Sequence, residues 1–111
     1  MSRAANIADA FLAGIAPACE YHRDEPAALQ EAAGRIHRRF LPTGAEVNEA
    51  ASILSNRLGV NIASFLASDI AACAHDPRFN QRELERRWIV TIAYAVSLAK
   101  DARVQDARRG E

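Results

Sequence analysis

Nucleophilic, acid–base or metal chemistry in this 111-residue chain would have to come from three histidines, two cysteines and scattered carboxylates. His22, His37 and His75 are isolated, with no pair at the three- or four-residue spacing that lets a helix present two metal ligands. His22 and Glu25 stand three apart, but Pro26 argues against one continuous helix carrying both. His75, next to Asp76, falls at an expected helix end, where an imidazole favours the carbonyl-rich terminus. A catalytic His–Asp pair would also need a nucleophile, and no motif surrounds any Ser or Cys. Cys19 and Cys73 lack CxxC spacing and read as two small buried hydrophobes of a reducing compartment. Asp24-Glu25 and Glu46/Glu49 lie at helix starts, where acids complement the helix dipole. The five glycines are scattered singly and form no phosphate-cradling loop. The chain is therefore expected to be no enzyme, with no cofactor and no metal site.

Arginine is the residue type that clusters. Arg35, Arg38 and Arg39 are expected on one side of the second helix, near His37. Arg78, Arg82, Arg86 and Arg87 crowd the start of the last. Glu31 to Arg35 and Glu83 to Arg87 are well-oriented i,i+4 pairs, which favours a solvated, self-paired face. Arg82 and Arg86 sit unfavourably near a helix N-terminus, a small cost that hints at a partner. Fourteen basic residues balance fourteen acidic ones, so the electrostatics of nucleic acid or anionic lipid are disfavoured as the chain's main business.

These side chains must be positioned by helices, because strand alternation is nearly absent while alanine is abundant. The length supports a single domain over 1–111, with half the residues hydrophobic and a quarter charged. Five helices are expected. The first runs from about Arg3 to Ala16, with Ile7, Phe11 and Ile15 inward, and an irregular turn or short helix follows through His22. The second starts after an Asp24 cap, carries Leu29, Ala33, Ile36 and Phe40, and is closed by Pro42. The third opens on a Thr43/Glu46 capping box, buries Val47, Ala51, Leu54 and Leu58, and ends at Gly59. The fourth, capped by Asn61, carries Ile62, Phe65, Leu66, Ile70 and Cys73. The segment from Ile53 through Gly59 to Ile62 imitates a helix-turn-helix, but its second helix offers no Lys or Arg to read bases, so it reads as a plain helical hairpin. The fifth starts near Asn80 and is expected to fray beyond about 103. The fold class is thus all-α, a compact bundle of about five helices with a long apolar C-terminal helix.

That last helix is apolar on every side from Trp88 to Ala99, a run of about 12 residues that is too short to span a bilayer. A helix apolar all round must be buried all round. Four modest amphipathic neighbours are hard pressed to wrap it, so part of it is expected to meet another chain. Arg82, Arg86, Trp88, Ile89, Ile92, Tyr94 and Val96 are the expected protein interface, in a homodimer or with a protein partner. Ala16-Pro17-Ala18-Cys19 mimics a lipoprotein signal, but Asn6 and Asp9 interrupt the apolar stretch, so a cytoplasmic location is expected.

Size, helical build, Ala/Arg content and the apolar stretch Trp88-Ile89-Val90-Thr91-Ile92-Ala93-Tyr94-Ala95-Val96 resemble the small bacterial anti-activator proteins that sequester LuxR-type quorum-sensing regulators. The resemblance covers general build and assigns no residue a role. It implies a helical, commonly dimeric inhibitor that occupies a transcriptional regulator's dimerisation or DNA-binding surface. Anti-CRISPR and toxin-neutralising proteins share that build, and a nucleic-acid-associated regulator using the arginine clusters is the alternative of a different class.

Overall fold

Caps and apolar stripes divide the chain much as their spacing demands. The computed structural model describes residues 2–20, 26–73, 76–78 and 80–109, and all regular structure among them is helical. The first helix, α1 (Arg3–Gly14), is capped by Ser2, whose hydroxyl accepts from the Ala5 N–H at 3.2 Å. It stops two residues short of the expected Ala16, with Ile15 already extended ahead of Pro17. A single 3-10 turn follows at Ala18–Glu20. The expected Asp24 cap, together with His22 and Glu25, lies outside the described residues, as does His75.

Helix α2 (Pro26–Phe40) ends at Leu41, a rare non-glycine in the left-handed region (φ 43°), whose N–H donates to the His37 carbonyl at 2.8 Å. Helix α3 (Gly44–Leu58) carries the full Thr43/Glu46 capping box and closes on Gly59 at φ 70°. Helix α4 (Ile62–Cys73) is capped by Asn61, whose side-chain oxygen accepts from the Ser64 N–H at 3.0 Å. Helix α5 (Gln81–Arg109) starts on a second reciprocal cap. Asn80 accepts from the Glu83 N–H at 2.9 Å, and the Glu83 carboxylate accepts from the Asn80 N–H at 3.3 Å. Its 29 residues reach about 43 Å at the usual helical rise, close to the molecule's longest dimension of 48 Å.

The helix runs on to Arg109. Alanine, arginine and glutamine in the polar tail favour helix, and Arg103 donates to the Arg57 carbonyl at 3.0 Å, tying the tail to the end of α3. Every other helix touches α5: α2 and α4 flank it most extensively, α3 lies beneath, and α1 and the 3-10 turn meet its C-terminal half. Ile89, Ile92, Ala93 and Val96 join Ile7, Phe11, Val47, Leu54 and Leu66 in one core. Lys100 anchors the corner. Its ammonium donates to the Leu12 and Ile15 carbonyls at 2.5 Å, capping the end of α1, and burial pushes its pKa down. Arg3 binds Glu46 at 2.7 Å and also the Phe40 carbonyl, while Arg57 pairs with Asp9.

Three expectations about side chains fail. Phe65 stands half exposed, while Leu66 beside it is fully buried in the core. Cys19 is exposed on the 3-10 turn, and only Cys73 is the buried small hydrophobe; both are free thiols. Glu83 caps α5, and Arg87 donates to Asp69 of α4 at 3.3 Å, so the i,i+4 pairing of the two does not organise this surface.

Candidate functional site

Helix α5 is wrapped more completely than its apolar circumference suggests. Of the seven residues expected at an interface, Ile89, Ile92 and Val96 are sealed inside the chain's own core and reach no partner. Trp88 is half-buried and lies on the first turn of α3. A β-carbon at Gly44 would stand only 2.9 Å from its ring. Its ring seats α5 on α3. Tyr94 is 52 % exposed, and Arg82 and Arg86 are exposed at the start of the helix. Four of the seven thus touch solvent, and they divide between the two flanks of α5.

On the α4 flank, Val60, Ile62 and Phe65 face Ala95, Leu98 and Ala102 of α5 across an apolar groove of about 270 Å³. Phe65 is 51 % exposed, Leu98 46 % and Val60 40 %, and Tyr94 stands one turn before Leu98 on the same helix. The outer side of α4 presents Ser64, Phe65, Ala67, Ser68, Ala71 and Ala72. The only ionisable carboxylate on that helix, Asp69, is half-buried. It accepts from Thr91 at 2.9 Å and from Arg87 at 3.3 Å. The flank is therefore apolar, small-featured and uncharged. The sequence reading missed Phe65, Leu98 and Val60. Phe65 and Leu66 stand three and four residues after Ile62, both core spacings, so the sequence alone does not say which of them stays outside.

On the α2 flank, Arg82, Glu83 and Arg86 of α5 face Gly34, His37 and Arg38 of α2 across a second groove of about 280 Å³. The two arginine clusters thus meet through part of each. Arg35 and Arg39 do not join them; they line grooves on the α1 side of α2. Arg35 lies 3.9 Å from Glu31, and Arg39 stacks over the Phe40 ring at 4.9 Å. His37 is half-buried, and burial holds its pKa below the ordinary value. Glu85 opposes that shift, while Arg86, Arg82 and Arg38 reinforce it. Arg78 chelates the Asp76 carboxylate with bonds of 2.6 to 3.1 Å, which holds Asp76 down at about 2.

Among the described residues, no group of three or more His, Cys, Asp and Glu could hold a metal ion, and no helix is long and apolar enough to cross a membrane. Compared with models of protein families, with curated proteins and with solved structures, the chain finds no match.

Proposed function

We propose that this chain is a protein–protein interaction module, a small regulatory helical protein that works as a homodimer paired through its α4–α5 flank. The reading rests on one observation: Val60, Phe65 and Leu98 stand half exposed around one groove, with half-exposed Tyr94 one turn before Leu98. A monomer surface scatters such residues singly; grouped, they mark a contact. The occupant is a second copy. The exposed side of α4 carries no charge, so a two-fold copy opposes it without like-charge repulsion, and its Ala and Ser residues let a second helix approach closely. Its Phe65 supplies the large knob that a neighbouring groove requires. The resemblance to anti-activators extends the proposal to a dimer that sequesters a protein partner, such as a transcriptional regulator.

Sedimentation of the purified chain from low to high micromolar concentration tests the pairing. Wild type is expected to form a dimer, while Phe65→Glu and Leu98→Glu stay monomeric with unchanged helicity, since both side chains are already half in water. A wild-type monomer at high micromolar concentration overturns the proposal. So does a dimer that survives both substitutions.

A further inference from the structure

We infer that the groove between α2 and the first turns of α5 binds a phosphate-type oxyanion carried by a small ligand, gripped by Arg38, Arg82 and Arg86. Three guanidiniums from two helices line it against one carboxylate, Glu83, and that carboxylate already accepts the Asn80 N–H at 3.3 Å. Among the described residues none of the three arginines forms a salt bridge, although the chain pairs Arg3, Arg35, Arg57, Arg78 and Arg87. Three positive charges gathered against a single lining carboxylate repel on balance, and an anion between them offsets that repulsion and gains charge-assisted hydrogen bonds. Arg82 lies in the first turn of α5, where the positive end of the helix dipole adds to the field.

Gly34 supports the assignment independently. Glycine inside a helix costs stability relative to alanine. Here a β-carbon would meet the Arg38 guanidinium at 3.2 Å, a tight contact that would displace it by a few tenths of an ångström, so the missing methyl leaves Arg38 room in the groove. The ligand is compact because the positive surface is. Four and eight residues beyond Arg86 come Val90 and Tyr94, and Arg35 and Arg39 face the α1 side, so no basic track continues for a polyanion backbone. The groove lies on the opposite flank of α5 from the dimer face, and the inference stands whether or not the chain dimerises.

The test is an NMR titration of the full chain with inorganic phosphate, and separately with a small phosphomonoester, against chloride at matched ionic strength. Saturable shifts are expected at the Gly34 amide and the His37 ring. His37 faces Arg38, Arg82, Arg86, Glu83 and Glu85, and a bound anion raises its titration midpoint. Tighter binding of the monoester points to an esterified ligand, and equal binding points to free phosphate; either supports the site. The Arg82→Gln/Arg86→Gln double variant should weaken binding about tenfold or more. Gly34→Ala should weaken binding while raising the unfolding midpoint, a combination that damage to the fold cannot produce. Shifts that match chloride, affinity unchanged in the double variant, or binding seen only with an oligonucleotide would overturn the inference.

Discussion

Two helical glycines in this chain answer the same substitution with opposite signs, and the difference lies in what a single methyl would meet. At Gly44 the β-carbon would stand 2.9 Å from the Trp88 ring, a rigid group held between α3 and α5. Gly44→Ala is therefore expected to cost about 1–3 kcal/mol by overpacking, read as a lower midpoint in chemical denaturation. At Gly34 the neighbour is the far end of a flexible arginine, which can swing away. Gly34→Ala is expected to stabilise by about 1 kcal/mol through helix propensity, at the expense of the seat for Arg38. His37 supplies the pH dependence at this scale. Its folded pKa lies below the ordinary 6.5, so as pH falls through that value the unfolded chain takes up the proton first. Stability should decline from about 6.5 downward until the folded pKa is passed, then level off. The slope should flatten in His37→Gln, measured by thermal midpoints between about pH 8 and pH 5.

At the level of elements, local chemistry carried most of the information. The caps at Thr43, Asn61 and Asn80 and the left-handed Gly59 were readable because each needs only a side chain and its own next turn. The inward stripes of α1, α2 and α3 were readable because polar residues flank them. Helices α4 and α5 were less legible for one shared reason: with apolar residues on more than one side, periodicity does not say which side stays open. Leu98 and Phe65 were lost to that ambiguity, and Ile89, Ile92 and Val96 were assigned outward when the core claims them. The basic groove was half legible. Both arginine clusters stood out, but their meeting depends on how α2 lies against α5. Lys100 belongs here too, since nothing local reveals that an α5 lysine caps α1. Lys100→Met keeps the aliphatic stem and leaves the Leu12 and Ile15 carbonyls without their donor. It should destabilise by about 1–2 kcal/mol, with amide exchange rising first in the last turn of α1.

For the whole molecule, α5 acts as a spine that keeps two chemistries apart, an uncharged apolar flank beside α4 and a cationic flank beside α2. A pairing surface without charge and a ligand surface with charge can then operate at once, because occupying one neither covers nor neutralises the other. The dimer proposed for the first would also appear in stability, since unfolding a dimer includes separating it and mass action enters the midpoint. Each tenfold rise in concentration adds about 1.4 kcal/mol per dimer, half of that per protomer. A domain of this size converts that into roughly 3 °C of melting temperature. The wild-type midpoint should climb by that amount per decade, whereas Leu98→Glu should melt at one temperature throughout, close to the wild type at its most dilute. The slope should be the same with saturating phosphate present, with both curves displaced upward together, because the site proposed for the anion lies on the other flank. A slope that changes with phosphate would mean that the two flanks are coupled through α5, and their separation would then be wrong.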